Sequence, residues 1–412
     1  MSFARVALRE LQAPKRWALN GGPFGSKLVQ KDYVESGVPV IRGGNLSSDC
    51  RFDESEFVFV SEEKADDLLP NNAHPGDLVF TQRGTLGQTG IIPEKSFFSR
   101  YVISQSQMKL TVDRQKVDPA FIYYVFKAPE TVQRIHNQAS SSGVPHINLE
   151  VLRSFEIELP QLPLQRRIAS ILSTYDNLID NNTRRIRVVK NMAKTIFNGA
   201  LTKPDWSLVP ISELYEELFD GPHATPKPST NGPIYLGIKN VTERGELDLT
   251  DIRHIAEEDF PQWTRRVVPR PNDIVFTYEA TLNRYGIINR DFRGCLGRRM
   301  ALIRPDEKKI DPYLFLHCLL SDQWRDTVRS RIIAGATVDR IPLTTFPTFQ
   351  VRVPVASVRQ KIGPPIRACE ELAENCRRRN DMLRTTRDFL LPKLISGQIS
   401  VEAAAELVEQ TA

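Results

Sequence analysis

The sequence predicts a mixed α/β (α+β) protein. Two similar globular domains are joined by two long helices that pair as an antiparallel coiled coil, giving a pseudo-twofold body. Three observations predict this: a long amphipathic stretch in the middle of the 412 residues, a second copy of it near the end, and an internal repeat with a period near 194 residues. The expected boundaries are a first domain over 1–160, a central helix over 161–203, a second domain over 204–354, and a C-terminal helix with its tail over 355–412.

The central helix is expected from Leu164 to Leu201, a span without proline. Leu172, Tyr175, Ile179, Asn182, Ile186, Val189, Ala193 and Ile196 follow one another in alternating steps of three and four. That spacing is the seam of a helix that buries a narrow stripe against another helix. A helix of about 30 residues is about 45 Å long, which suits a spacer. Asn182 lies in mid-seam, where a buried amide fixes register at some cost in stability.

The second copy is expected to begin at Pro364-Pro365, because proline is tolerated only in a first helical turn, and to run to Leu391 before Pro392. Its stripe reads Ile366, Cys369, Ala373, Cys376, Asn380, Leu383, Arg387 and Leu390. Neither stripe is buried by its own helix, so each is expected against the other; separate packing on the two domains is the alternative.

The repeat ties these helices to two domains. PVIRGGN at Pro39 is echoed by PIYLGIKN at Pro233, PGDLVF at Pro75 by PNDIVF at Pro271, and VDPAFIYYVF at Val117 by IDPYLFLHCL at Ile310. GVPHINLEVLRSFEIELP at Gly143 returns as ATVDRIPLTTFPTFQVRVP at Ala336, and LQRRI at Leu164 as VRQKI at Val358. PVIRGGN, DLVFTQRG and SFEIELP read as short strands. Pro119–Gln138 and Pro312–Arg331 read as helices, each opened by an Asp cap and a proline. Trp206–Pro228 reads as a loop, and Val401–Ala412 as a fraying tail. Two similar faces on one chain suit a duplex with two half-sites.

Composition sets the broad class. At 41% apolar and 25% charged residues the chain is of ordinary globular type. It has no apolar run of about 18 residues, and its first residues lack a signal-peptide core, so a cytoplasmic protein without a membrane partner is expected. Five scattered cysteines show no metal-site spacing, which predicts reduced thiols and no metal. A formal charge of +5 is compatible with a polyanion.

GVPVIRGGN and GPIYLGIKN, PGDLVFTQRGTLGQTG and PNDIVFTYEATLNRYG, SSSGVPHINLEVLRSFEIELPQLPLQRRIASIL and the closing LLPKLISGQI resemble the specificity (S) subunit, HsdS-like, of type I DNA restriction–modification systems. The resemblance covers nearly the whole chain and rests on the order and duplication of these strings. It implies two target-recognition domains, each reading half of a split, asymmetric DNA site. It also implies helices that dock two methyltransferase (M) subunits, and a pair of restriction (R) subunits that join that core. S-adenosylmethionine would then belong to the methyltransferase, ATP and Mg2+ to the restriction partner, and no cofactor to this chain. The sequence departs from the pattern at Gly363-Pro364-Pro365 and at Ala280, which stands where the first domain has Gly84.

DNA reading needs cations and amides for phosphates, and planar donors or acceptors for base edges. In the first domain the candidates are Thr81, Gln82, Arg83, Thr85 and Gln88 in TQRGTLGQTG, Lys27 in GGPFGSKL, Asn45 in PVIRGGN, and Ser141 and His146 in SSSGVPH. Arg83 suits guanine, and Gln82 or Gln88 suits adenine. The bland alternatives are an ordinary hairpin and a bare helix-to-strand connection. In the second domain the matching groups are His223, Lys227, Lys239, Asn240, Tyr278, Arg284, Thr337 and Arg340. Catalysis finds little support: [DNS]PP[YFW], FxGxG, Walker, HExxH and GxSxG motifs are all missing from the sequence. The expectation is a non-catalytic specificity subunit; the rivals are a single-chain DNA-modifying or DNA-cleaving enzyme and a coiled-coil adaptor.

Overall fold

The computed structural model describes residues 3–46, 50–139, 144–202, 205–335 and 338–411. The candidates Ser141 and Thr337 lie outside the described residues. The chain divides into two compact units, Met1–Arg184 with Arg377–Ala412, and Arg185–Cys376.

In the first unit one antiparallel sheet orders the strands Leu19–Gly21, Gln107–Leu110, Leu78–Thr81 and Thr89–Ile91. A second sheet orders Tyr33–Val34, Val58–Val60, Val38–Ile41, Tyr101–Ile103 and Asn72–Ala73, and in it Val38–Ile41 and Tyr101–Ile103 run parallel. Ala4–Ala7 pairs with Glu156–Leu159. Strand alternation divides the apolar side chains. Leu78 and Phe80 join the core that contains the helices, and Val79 joins a separate core with Ile41, Tyr101 and Ile103.

The second unit repeats the plan. Tyr215–Asp220, Met300–Pro305, Ile274–Glu279 and Thr281–Ile287 form its antiparallel sheet. Arg253–His254, Ser229–Leu236 and Gly294–Leu296 form another, with a parallel pair between the last two. Trp206–Pro210 pairs with Gln350–Pro354. Two strands, Trp206–Pro210 and Tyr215–Asp220, therefore lie in the stretch read as a loop. Their partners lie more than 80 residues away, so the local composition carries no sign of them.

Each expected domain helix is two helices. Asp118 caps the first of them, its carboxylate accepting from Ala120 and Phe121 N–H at 2.9 and 3.1 Å, and Asp311 does the same for Tyr313 and Leu314 at 2.9 and 3.3 Å. Pro119–Lys127 then stops because Pro129 pushes Ala128 into extended backbone, ψ 132°, and Pro129–Asn137 starts anew. In the second unit Ser321 caps Asp322–Arg329 after Pro312–Leu319 has ended.

The long helices span Leu162–Leu201 and Ala356–Ile395, 40 residues each. The second is not shortened at Pro364-Pro365, nor stopped by Pro392. Both Pro364 and Pro365 are exposed, as are Gln360 and Lys361, whose carbonyls lose their helical donors and can take water instead. The C-terminal residues Val401–Thr411 form a further helix.

Within the first unit, Leu172, Tyr175 and Ile179 share a core with Leu383 and Leu390, and with the domain residues Phe121 and Tyr124. The two helices run antiparallel there: Asp176 meets Arg387, and Asn182 meets Asn380. Asn182 Nδ2 donates to Asn380 Oδ1 at 2.9 Å, so the mid-seam amide has an amide partner. Tyr124 Oη donates to Asp176 at 2.6 Å and Arg387 binds the same carboxylate at 2.5 Å. Burial raises the Tyr124 pKa, helped by the Asp176 charge. Burial opposes the Arg387 charge, but Asp176 and Asp388 outweigh it and raise the pKa. Within the second unit, Ala193, Phe197 and Ile366 are buried together, with Ile196 and Cys369 half-buried beside them. Val189 and Cys376 are also buried, while Ile186 is half-buried.

Candidate nucleic-acid interface

In each unit a hairpin loop that follows a buried strand meets a loop that follows the paired domain helices. In the first unit the strand Leu78–Thr81 leads into Gln82–Gln88. Arg83 forms an isolated bridge with His146, Ile147 N–H donates to Gln82 O at 3.0 Å, and Gly84 N–H donates to Pro145 O at 3.4 Å. Gln82 N–H also donates to Ser106 O at 2.7 Å, which brings in the loop 104–107. From that loop, Gln105 Nε2 donates to Gly25 O at 2.7 Å and Leu28 O at 3.0 Å, tethering the glycine-rich loop that carries Lys27. Four loops thus converge around exposed Arg83, Thr85 and Lys27 and half-buried Gln82, Gln88 and His146. Among the described residues neither Arg83 nor Lys27 has an acidic partner.

The second unit builds the same framework. Glu279 forms an isolated bridge with Arg340, Ile341 N–H donates to Tyr278 O at 2.8 Å, and Ala280 N–H donates to Asp339 O at 3.3 Å. Tyr278 N–H donates to Arg299 O at 3.2 Å. Tyr278 Oη donates to Asp220 at 2.9 Å, and His223 lies 2.8 Å from the same carboxylate. Burial raises the Tyr278 pKa, and the Asp220 charge adds to it, so the phenol stays a donor. Arg266 donates to Gly221 O at 2.7 Å and to Asp220 O at 3.3 Å. It lines, with Asp220, His223, Gln262, Trp263 and Arg265, a cleft of about 340 Å³.

The left-handed backbone is kept as well. Gly84 and Gly87 have φ of 104° and 82°; Ala280 and Asn283, at the matching places, have 66° and 61°. A Cβ costs roughly 1–2 kcal/mol in that region, less for asparagine. The loop shape is therefore held by its bridges and not by glycine alone.

Residues 24–191 match the family model of the type I restriction modification DNA specificity domain. The first unit thus carries a domain of that family, and the chain as a whole is similar to type I specificity subunits. Type I restriction enzyme specificity subunits of Methanocaldococcus jannaschii align with it: MjaVIII is 21% identical over 73% of this chain and 75% of its own, and MjaIX is 20% identical over 93% and 91%. The EcoBI specificity subunit of Escherichia coli is 27% identical over 60% of this chain and 57% of its own. The crystal structure of a type I restriction-modification S subunit from M. genitalium shares the fold, with a TM-score of 0.61, 15% identity and 96% of both chains covered. The protein has no helix among its described residues long and apolar enough to cross a membrane.

The sequence candidates divide into those at the loop cluster and those elsewhere. Lys27, Gln82, Arg83, Thr85, Gln88, His146, His223, Arg284 and Arg340 stand on the converging loops or next to them, and Lys227 is exposed on the stretch after His223. Thr81 and Tyr278 are buried in the strands beneath. Asn45 and Asn240, expected as DNA-binding candidates, are engaged within their own loops. Asn45 is buried, accepts from Arg42 N–H at 2.8 Å and donates to Asp53 O and Glu56 O at 3.0 and 2.9 Å. Asn240 accepts from Gly237 N–H and donates to Asp248 O and Asp251 O in the same way. Each amide is consumed in holding its loop, leaving no edge for a base. Lys239 is paired with Asp251 and Arg284 with Glu243 at 2.9 Å.

Residues absent from the sequence candidates also stand here: Gln105, which tethers a loop, and Trp263, Arg265 and Arg266 around the cleft. The run TRR at Thr264–Arg266 was a visible cationic signal, but only the fold brings it to Gly221.

Proposed function

We propose that this chain is a type I specificity subunit that recognises a bipartite, asymmetric duplex site, each unit reading one half. The observation that carries this reading is one loop framework built twice, with the bridges Arg83–His146 and Glu279–Arg340 at matched places and different side chains around them. A common scaffold with divergent contacts is what two unlike half-sites require. The long helices are the docking surface for two methyltransferase subunits. They expose Val188, Met192, Leu372, Met382 and Phe389, an apolar set that a solvated spacer does not need. A pair of restriction subunits joins that core. S-adenosylmethionine, ATP and Mg2+ belong to these partners; among the described residues no cluster of His, Cys, Asp or Glu is arranged to hold a metal. The chain's own work is binding and positioning, in the cytoplasm.

The test is a genome-wide map of methylated adenine with and without the chain, and with residues 21–155 replaced by the corresponding domain of a relative of different specificity. One half of the methylated motif should change while the other stays. A change in both halves, or methylation that ignores the chain, overturns the reading. Methyl transfer by the pure chain would favour the single-chain enzyme instead.

A further inference from the structure

We propose that the second unit holds DNA phosphate in an arginine cleft with no counterpart among the described residues of the first unit. The proposal rests on the DNA reading above and adds to it a site and its ligand, the phosphodiester backbone of the duplex at the second half-site. The cleft has a volume of about 290 Å³ and lies beside the hairpin loop, lined by Arg284, Arg325, Arg329, Asn283, Leu282 and Glu243.

The internal repeat shows what is special about it. The hairpins match with Pro75 on Pro271, which sets Gln88 on Arg284 and Gly87 on Asn283. The helices Pro129–Asn137 and Asp322–Arg329 match by their caps, Ala128 and Ser321, which sets Val132 on Arg325 and His136 on Arg329. Three positions that are Gln, Val and His in the first unit are all arginine in the second. In the first unit the same place is closed: a Cβ on Gly87 would lie 2.8 Å from Val132 Cγ1. At the loop tip the sign reverses the other way, Arg83 giving way to Glu279. The cation needed for a polyanion has moved from the tip of the hairpin to its flank.

The charges in the cleft are incompletely neutralised. Arg284 pairs with Glu243 at 2.9 Å, and Arg329 with Asp326 at 2.9 Å. Arg325 donates to the Glu243 carbonyl at 3.3 Å, a neutral acceptor. Three guanidiniums face two carboxylates, and both ion pairs are partly exposed, where a phosphate can compete for the planar donors.

The experiment measures binding of the full chain to a random-sequence 40-base-pair duplex across a range of salt. Wild type should show a steep fall of affinity with salt. Arg325→Ala/Arg329→Ala should lower the slope of log K against log salt by roughly 2, since each lost phosphate contact is worth about 1. Arg325→Lys/Arg329→Lys should retain the slope, and Glu243→Gln, which frees Arg284, should tighten binding. Lys95→Ala/Lys308→Ala removes the same charge elsewhere and should leave the slope close to wild type. An unchanged slope in the alanine pair overturns the cleft while leaving the DNA reading intact. Wild type that binds without salt dependence overturns the DNA reading and the cleft with it. Should the alanine pair fail to fold, Arg329→Gln, at an exposed position, must still lower the slope by about 1.

Discussion

The two units perform the same structural tasks with different chemistry, and the contrast is sharpest where the long helices leave each domain. In the first unit Tyr124, Asp176 and Arg387 form a buried group: a domain-helix donor, an acid on one long helix and a base on the other. In the second, His317, Glu370 and Lys190 take the same parts, at 3.1 Å for His317 to Glu370 and 3.6 Å for Lys190 to Glu370. Tyr124 and His317 are matched by the repeat, and so are Asp176 and Glu370. The polarity of the layer has been retained while every member has changed. What the arrangement requires is one donor, one carboxylate and one cation, and the side chains that supply them are interchangeable.

The layers differ in how much each would lose. Arg387→Ala leaves Asp176 charged, 4% exposed and short of its cation. The expected loss is about 3–5 kcal/mol of unfolding free energy, read by chemical denaturation. Lys190→Ala should cost about 1 kcal/mol or less, because Lys190 is more exposed and His317 still contacts Glu370. Equal losses would show that the two layers are not the same device.

The loop tips provide the second contrast. Arg83→Ala should weaken duplex binding by ~1–3 kcal/mol and relax one position if it reads a base, or lower the salt slope by about 1 if it holds phosphate. Glu279→Ala, at the matched place, should leave binding unchanged or tighten it. The reverse ranking, measured by titration into the same duplex, would place the cation requirement elsewhere. The smallest effect concerns the backbone beneath. Ala280→Gly should stabilise the chain by about 1 kcal/mol, and Gly84→Ala should destabilise it by a similar amount, since both positions are left-handed. Thermal unfolding that moves in the same direction for both substitutions would contradict the shared loop shape.

Much of this was legible in the residues. The repeat gave the paired domains, and the three–four spacing of Leu172, Tyr175 and Ile179 gave the buried stripe. Proline was over-read at Pro364-Pro365 and under-read at Pro129. The first pair lies on an exposed helix face where water can replace the lost donors; Pro129 follows an Ala128 whose backbone is extended, and the helix ends there. The burial of Asn45 and Asn240 was illegible because an amide that can meet DNA can equally hold a loop carbonyl, and only the fold shows which it does. The arginine cleft was illegible because Arg284, Arg325 and Arg329 come from a hairpin and a helix that adjoin only after folding.

The first unit is assembled from both ends of the chain, and this has a consequence for how it is made. Residues 185–376 leave the ribosome as one uninterrupted piece and contain everything the second unit needs. The first unit, though begun earlier, waits for Leu383, Leu390, Leu391 and Leu394 to complete its core. At about 5–20 residues per second, the interval between Arg184 and Leu394 is roughly 10–40 s. Throughout it Leu172, Tyr175 and Ile179 have the domain helix Pro119–Lys127 but not the second long helix, and Asn182 has no Asn380. The nascent chain therefore carries a half-covered apolar stripe for longer than the second unit needs to be synthesised, and residues made after the second unit are the ones that close its first domain.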